Sequence, residues 1–182
     1  MKKNLQSCLL LAVALFLFSV AKAQDQTAPA TVHYKDAIGD NPTPEADIKT
    51  VTDFTNLLVS GDLDKAKSFM TDKCMNYGPG PADSANVADF ADHWKGNYKM
   101  ESDRKVSFVA ETFNVKVGDL QGHWVAAWGD YTFTSNGITV KFPYHCAYHI
   151  TKGKIDISRI YYDQLYIFQK LGYTLTPPAA AK

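Results

Sequence analysis

Cysteine is scarce in this sequence of 182 residues, which contains Cys8, Cys74 and Cys146. An oxidising compartment permits a disulfide, but a bridge needs two Cα atoms within about 7 Å, and only a fold can supply that. Cys74 and Cys146 are therefore either bridged or two separate thiols. We favour the second alternative, because unpaired cysteine commonly packs as a small apolar residue.

An excess of positive charge is also missing. Lys and Arg together number 19, and so do Asp and Glu. Removal of residues 1–23 would take away three lysines and no acid, leaving the chain slightly negative. Binding to a phosphate backbone depends on clustered Lys and Arg. We therefore expect no nucleic-acid partner.

No apolar run is long enough to span a bilayer. The run Leu9–Val20 falls short of the roughly 20 apolar residues that a membrane helix needs. Two lysines precede it and Ala21-Lys22-Ala23 follows, a pattern typical of a secretory signal peptide over residues 1–23. Because Cys8 precedes the run, a lipoprotein anchor is not expected. The sequence predicts export to the periplasm or the extracellular space, with no membrane anchor after cleavage.

Composition divides the rest into a flexible leader (24–42), one domain (43–173) and a disordered Pro/Ala tail (174–182). Within the domain, apolar residues at helical spacing predict three helices before residue 100. Alternation then predicts four successive strands. Their expected ranges are 105–117, 123–134, 138–151 and 154–163. Helices followed by antiparallel strands indicate an α+β fold, with helices covering one face of a sheet.

Capping residues predict where the helices begin and end. A hydroxyl or carboxylate residue precedes each helix, and a glycine follows the first and the third. The first helix should be capped by Thr43, with Pro44 in its first turn, and should end at Gly61. The second should be capped by Asp62. The third should be capped by Asp83 or Ser84 and should end at Gly96.

The dipeptide Asn136-Gly137 lies between two alternating runs and is a strong signal of a two-residue hairpin. If it forms the turn, Ser135 faces Ile138 and every later pair follows. One face is then almost wholly apolar or aromatic and should contact the helices. Its expected pairs are Phe133 with Val140, Tyr131 with Phe142, Gly129 with Tyr144, Ala127 with Cys146, and Val125 with Tyr148.

Three tyrosines on this inner face, Tyr131, Tyr144 and Tyr148, suggest a binding cavity. A buried tyrosine hydroxyl needs a partner, and small neighbours at Ala127 and Gly129 suggest space. An aromatic wall with a few polar tips is the usual form of a small-molecule site. An ordinary aromatic core, with the hydroxyls bonded to backbone, explains the pattern equally well.

The opposite, outer face carries His145 and His149. On a strand, this spacing separates them by roughly 13 Å, too far to share one ion. We therefore expect no metal site. In the last strand, the apolar phase changes between Ile157 and Ile160, which predicts a bulge and leaves the direction of Arg159 open.

The outer face also carries Trp124 and Trp128. Monomeric proteins rarely leave two tryptophans of one strand exposed together. We expect this surface to pair two copies of the chain as a homodimer. The alternative is a cover within the chain, by the leader or by the Pro-rich tail.

Several short motifs, in this order and spacing, resemble the nuclear-transport-factor-two-like (NTF2-like), or SnoaL-like, superfamily. The resemblance covers roughly residues 46–172. The motifs are Gly61-Asp62-Leu63-Asp64, Phe69-Met70-Thr71-Asp72, Tyr77-Gly78-Pro79-Gly80, Gly153-Lys154-Ile155, Tyr161-Tyr162-Asp163 and Gln169-Lys170-Leu171-Gly172. The resemblance implies a cone: a curved antiparallel sheet wrapped on three N-terminal helices, commonly dimeric through the sheet. It also places Tyr77 and Trp94 in the cone.

The resemblance does not select one activity, because the superfamily includes cyclases, isomerases, epoxide hydrolases, dehydratases and binding domains. Tyr144 and Cys146 stand where the epoxide hydrolases carry Arg and Asp, and Ile160 stands where their last-strand Asp would be. A buried proton-transfer carboxylate of the isomerase kind is also not evident.

The leading hypothesis is therefore an exported protein that binds a small, partly apolar molecule in an aromatic cone without a cofactor. A lyase, isomerase or cyclase-like enzyme is the second alternative, and a non-catalytic interaction module is the third. The candidate ligand-binding residues are Tyr77, Trp94, Tyr131, Tyr144, Cys146 and Tyr148.

Overall fold

A computed structural model describes residues 32–176 of the chain. Most of the helices lie in the N-terminal half, and four long strands follow them. In chain order, the elements are α1 (Tyr34–Ala37), β1 (Ile38–Gly39), α2 (Pro44–Ser60), α3 (Leu63–Ser68), β2 (Met70–Tyr77), β3 (Ser84–Ala85), α4 (Val87–Met100), β4 (Ser102–Val115), β5 (Gly122–Ser135), β6 (Ile138–Thr151), β7 (Lys154–Tyr162) and α5 (Gln164–Lys170).

The first two predicted helices form close to where their capping residues indicated. Gly61 ends α2 with a left-handed φ of 99°, and the Asp62 carboxylate accepts a hydrogen bond from the Lys65 backbone N–H at the start of α3. Thr43 precedes α2, but its side chain caps no backbone N–H. Its hydroxyl bonds instead to the side chains of Asn41 and Asp47.

The third main helix, α4, differs from the prediction at both ends. Its cap is Asn86, whose side-chain oxygen accepts from the N–H groups of Ala88 and Asp89 at 2.8 and 3.0 Å. Asp83 is not available as a cap because its carboxylate accepts from the Gly80 N–H in the preceding turn. The helix also continues through Gly96 to Met100, since an isolated glycine weakens a helix without ending it.

The strands form one curved, open sheet in the order β1-β4-β5-β6-β7-β2-β3. All neighbours pair antiparallel except β2 and β7, which are parallel. The helix α2 packs on β4 and β5, and α4 packs on β2. The predicted α+β cone, with helices inside a curved sheet, is confirmed.

The hairpin between β5 and β6 has the predicted register. Asn136 and Gly137 form the turn with φ of 49° and 78°, as the two left-handed positions of this turn type require. Ser135 pairs with Ile138, and every predicted pair follows. The inner face of this hairpin is accordingly part of the hydrophobic core.

A bulge forms in the last strand, but at Asp156 and not at the expected place between Ile157 and Ile160. Ile155 pairs with Ile150, whereas Ile157 pairs with His149, so one residue of β7 has no partner on β6. Beyond the bulge Ile160 and Tyr162 face inward, opposite Cys146 and Tyr144. Arg159 therefore points to the outer face.

Residues that the sequence pattern assigned to the leader belong to the ordered domain. Ile38 and Gly39 pair with β4, and Asn41 is buried. The Asn41 amide donates to the buried Asp47 carboxylate at 2.8 Å and to the Thr112 hydroxyl at 2.6 Å, which joins this segment to α2 and β4. The predicted signal peptide, the leader up to residue 31 and the tail from residue 177 lie outside the described residues.

Membrane-spanning length is not reached by any helix between residues 32 and 176.

Gly129 on β5 lies unusually close to the backbone of β4. A Cβ atom there would lie 1.9 Å from the Ser107 carbonyl oxygen and 2.6 Å from the Phe108 Cα. Glycine is thus needed for the close approach of two strand backbones. The small residue that suggested open space in the sequence is explained by this approach instead.

We expect Gly129→Ala to lower the free energy of unfolding by about 3 kcal/mol or to prevent folding, because neither backbone can move away without breaking the ladder. Gly96→Ala is the matched control. A Cβ at Gly96 would meet nothing within 4 Å, so this change should stabilise the helix by about 0.5–1 kcal/mol. Urea denaturation measures both changes. A Gly129→Ala protein as stable as the wild type would contradict the close approach.

Candidate ligand site on the inner face of the sheet

The deepest predicted site residues, Cys146 and Tyr148, are core residues. Tyr148 packs edge-on against Phe54 of α2, with ring centroids 6.0 Å apart. Burial raises the pKa of the Cys146 thiol to about 12 and the pKa of Tyr148 well above its ordinary value. Cys74 is also a buried, free thiol, as favoured from the sequence. A ligand could reach this depth only by displacing the core.

Tyr144 lies one pair nearer the hairpin turn, and its hydroxyl is enclosed without a partner. The side chain is 8% exposed, and no hydrogen-bond acceptor or donor meets its hydroxyl among the described residues. Burial raises the pKa of Tyr144, so the hydroxyl keeps its proton. Its neighbours across the sheet are Gly129 and Tyr162. The neutral Tyr144 hydroxyl therefore has unused hydrogen-bonding capacity on the inner face.

Tyr131, nearer still to the turn, donates a hydrogen bond to Glu101. The hydroxyl lies 2.8 Å from the Glu101 Oε2 atom. Burial raises the pKa of Glu101, partly offset by this hydrogen bond. Burial and the nearby Glu101 charge also raise the pKa of Tyr131. The inner face therefore does carry a half-buried carboxylate, contrary to the expectation from sequence.

Glu101 was missed because it belongs to no periodic pattern. It is the residue between α4 and β4, and the helix was expected to end earlier, at Gly96. The one available signal was the helical composition of the residues after Gly96. It would have extended the predicted helix as far as Glu101.

Arg104 lies near Glu101 but does not pair with its carboxylate. Its Nη1 donates to the Glu101 carbonyl at 2.6 Å and its Nε to the Val59 carbonyl at 3.1 Å. Its guanidinium lies 4.7 Å from the centroid of the Tyr98 ring. These contacts hold the Arg104 guanidinium against two backbone carbonyls and the Tyr98 ring. Within residues 32–176, no basic nitrogen lies within 4 Å of the Glu101 carboxylate oxygens.

Trp94, which the resemblance placed in the cone, lies on α4 among other aromatic residues of that helix. Its ring is 6.4 Å from Phe90 and 5.7 Å from Tyr98, measured between centroids. It is half-buried against the core. Trp94 and Tyr98 on α4 and Tyr131 on β5 are thus partly accessible aromatic residues.

Tyr77 lies on the outer face, away from the other predicted site residues. It pairs with Arg159 in the β2–β7 ladder, and the guanidinium lies 4.9 Å from its ring centroid. Cys74 and Asn76 are the buried residues of this part of β2, so alternation turns Tyr77 outward. Tyr77 therefore cannot line one cavity with Tyr144. The resemblance placed Tyr77 in the cone, and this placement is wrong.

Two surface depressions also lie outside the inner face. One, of about 580 Å³, contains Tyr77, Asp156 and Ile157 on the outer side of β2 and β7. The other, of about 490 Å³, lies between α3, β2 and the start of α4. Neither contains a predicted site residue other than Tyr77.

His145 and His149 lie on the outer face, as the register predicts. His149 is held by its two ring nitrogens: Nδ1 lies 2.6 Å from an Asp156 carboxylate oxygen and Nε2 lies 3.0 Å from the Gln121 carbonyl oxygen. The bulge at Asp156 brings that carboxylate to the outer face. Both nitrogens of His149 are therefore already occupied by protein atoms.

The two outer tryptophans differ in exposure. Trp124 is 8% exposed, because its indole N–H donates to the Leu120 carbonyl at 2.8 Å and its ring lies 5.0 Å from the His149 ring. Trp128 is 42% exposed. The expectation of two exposed tryptophans is wrong for Trp124, which is covered by the loop before its own strand and by His149.

We expect Tyr144→Phe to raise the free energy of unfolding of the ligand-free protein by about 1 kcal/mol, because it removes a buried hydroxyl that has no partner. Tyr98→Phe is the matched control: the Tyr98 hydroxyl donates to the Leu58 carbonyl at 2.7 Å, and its loss should cost about 1 kcal/mol. Denaturant titration compares the two. If both variants lost the same free energy of unfolding, the Tyr144 hydroxyl would have a hydrogen-bond partner in solution.

We expect the stability of the wild type relative to Glu101→Gln to fall as the pH rises from about 4 to about 7. The pKa of Glu101 is higher in the folded chain than its ordinary value of 4.5 because of burial. The folded state therefore binds the proton more tightly, and its advantage is lost as the pH rises through the folded pKa. Denaturation of both proteins across this range tests the sign. A difference that grows with pH would contradict it.

Comparison with known proteins supports the fold. No protein-family model and no curated protein matches the sequence. Among solved structures, a candidate polyketide cyclase from Xanthomonas campestris pv. campestris superimposes with a TM-score of 0.58 at 16% identity, over 70% of this chain and 98% of that one. An LEH-like epoxide hydrolase from M. tuberculosis gives 0.57 at 17% identity, over 71% and 92%.

An NTF2-like protein from Burkholderia xenovorans LB400 superimposes with a TM-score of 0.55 at 19% identity, over 71% of this chain and 98% of that one. Identities this low establish the architecture and leave the activity open. The chain therefore has the NTF2-like, or SnoaL-like, fold that its sequence motifs resemble.

Proposed function

We propose that this chain is an exported protein that binds a small, partly apolar molecule on the inner face of its sheet, between Tyr144 and the Glu101–Tyr131 pair. Export rests on the signal-like pattern of residues 1–23. The binding site is shallower than the sequence pattern suggested, because Cys146 and Tyr148 belong to the core and Tyr77 lies on the other face.

The unpartnered hydroxyl of Tyr144 carries this proposal. Nearly all buried polar groups in native proteins have a hydrogen-bond partner, and each exception calls for a structural or functional explanation. Leaving such a group unsatisfied costs about 1–3 kcal/mol. Around it the wall is aromatic: the Phe142 ring lies 5.7 Å from Tyr131 and 5.4 Å from Tyr162. An apolar guest with one polar atom satisfies the hydroxyl and covers the rings.

The test uses 2-(2-naphthyl)ethanol, a neutral probe with a fused aromatic ring and one hydroxyl. Calorimetric titration of residues 24–182 should give saturable binding of one probe per chain. Tyr144→Phe should weaken binding by about tenfold, the equivalent of one hydrogen bond. Tyr77→Phe is the control on the outer face and should leave the affinity unchanged.

Absence of saturable binding to the wild type, with the protein shown to be folded by circular dichroism, would count against the proposal. Equal weakening in the Tyr77 and Tyr144 variants would place the probe elsewhere.

A proton-transfer enzyme of the isomerase, lyase or cyclase kind is the second candidate, and Glu101 favours it. A half-buried carboxylate with a raised pKa beside a tyrosine hydroxyl can accept a proton and return it. Solved structures of similar fold include candidate polyketide cyclases and an epoxide hydrolase. Incubation with 2-tetralone in D₂O provides the test: Glu101-dependent exchange of the protons next to the carbonyl, seen by NMR and lost in Glu101→Gln, would support this activity.

A non-catalytic interaction surface on the outer face is the third candidate. Val109, Trp128, His145 and Tyr161 pair in turn across β4, β5, β6 and β7. Val109 is 57% exposed and Tyr161 is 48% exposed. This cross-strand row is the apolar patch that remains once Trp124 is covered. We propose that it pairs two copies of the chain about a two-fold axis.

Sedimentation of residues 24–182 tests the homodimer. We expect a dimer for the wild type and a monomer for Trp128→Asp, because a charge in the centre of an apolar contact cannot be solvated there. The control is Leu165→Asp, which places the same charge at a similarly exposed apolar residue of α5 and should remain dimeric. A wild-type monomer at high micromolar concentration would contradict the expectation.

A further inference from the structure

Glu101 carries a charge that the described chain does not neutralise. Its carboxylate accepts from the Tyr131 hydroxyl at 2.8 Å. The nearest cation, Arg104, is held by two backbone carbonyls and by the Tyr98 ring. His93, whose charge also influences Glu101, is exposed to solvent. A carboxylate that is partly removed from water is stabilised by a counterion, and no side chain between residues 32 and 176 supplies one within 4 Å.

Aromatic rings adjoin this carboxylate. Tyr131 contacts it directly, and the Phe142 ring is packed between Tyr131 and Tyr162. The charges of Asp83 and Glu101 both add to the effect of burial in raising the pKa of Tyr162. The faces of aromatic rings attract cations at distances up to about 6 Å. Carboxylate and rings together therefore favour positive charge.

The enclosed hydroxyl of Tyr144 is a second polar group on the same face of the sheet. It is unpartnered, its side chain is 8% exposed, and Tyr144 pairs with Tyr162 across β6 and β7. A hydroxyl oxygen can accept a hydrogen bond from an ammonium or a hydroxyl group. It thus adds a polar contact to the inner face.

We propose that the molecule bound on the inner face is an organic cation, an ammonium group joined to an aromatic body by a short alkyl chain. The ammonium group pairs with Glu101 and donates to the Tyr144 hydroxyl, and the aromatic body packs on Tyr131 and Tyr162. This inference rests on the proposed binding function and names the chemical class of its ligand.

Three probes of one shape and different charge test it: 2-(2-naphthyl)ethylamine as the cation, 2-(2-naphthyl)ethanol as the neutral molecule and 2-naphthylacetate as the anion. In calorimetric titration of the wild type, the affinity for the cation should be about tenfold higher than the affinity for the neutral probe. One partly screened ion pair together with ring contacts accounts for a difference of this size. The anion should bind more weakly than the neutral probe.

Two variants test whether the charge of Glu101 is the one that favours the cationic probe. Glu101→Gln keeps the size of the side chain and its capacity to accept from Tyr131, and should abolish the tenfold preference while the neutral probe still binds. Asp103→Asn is the control, because Asp103 is an exposed acid two residues away. It should keep the preference, although it changes the net charge of the protein by the same amount.

Equal affinities for the cation and the neutral probe, or a preference for the anion, would overturn this inference and leave the proposed binding function intact. A cation preference that survives Glu101→Gln would also overturn it, because the charge would then act from elsewhere. Failure of all three probes to bind the wild type would instead count against the binding function itself. The comparison of probes on the wild type depends on no variant.

Discussion

The pairing of β5 with β6 is the interaction on which the rest of the structure depends. The Asn136-Gly137 turn sets a register in which thirteen residue pairs follow, from Ser135 with Ile138 to His123 with Ile150. Since successive side chains of a strand point to opposite faces, one turn decides which aromatic residues contact the helices and which contact solvent. A slip of one residue would exchange the faces.

Burial on the inner face of this hairpin is high next to the turn, at Phe133 and Val140, and again at the far end, and it is lowest between them. Tyr148 and Cys146 are packed beneath α2 and serve the core. Tyr144 is enclosed but unpartnered, and Tyr131 is half-buried and bonded to Glu101. Apolar contacts stabilise the two buried parts, whereas polar groups between them remain able to exchange partners. A binding site fits this boundary, where little core packing has to be displaced.

The candidate site could be predicted only where it follows strand alternation. Tyr131, Tyr144 and Tyr148 face inward because a two-residue turn and a period of two leave no other choice. Tyr77 was misplaced because its position was taken from the resemblance, whereas alternation with the buried Cys74 and Asn76 turns it outward. Glu101 was missed because a residue between a helix and a strand has no periodic pattern. Trp124 was expected to be exposed, and a loop covers it.

The order of the main helices and the long strands, the hairpin register and the existence of a bulge could be read from the sequence, because each depends on residues near one another in the chain. The short elements α1, β1 and β3 could not. Packing between distant elements brings Glu101 to Tyr131, 30 residues away, and Gly129 to the β4 backbone, and it leaves the hydroxyl of Tyr144 without a partner among residues 32–176. These contacts depend on the curvature of the sheet and on how α4 ends against it. Such distances are set by the packing of whole elements, and local preferences of the chain do not specify them.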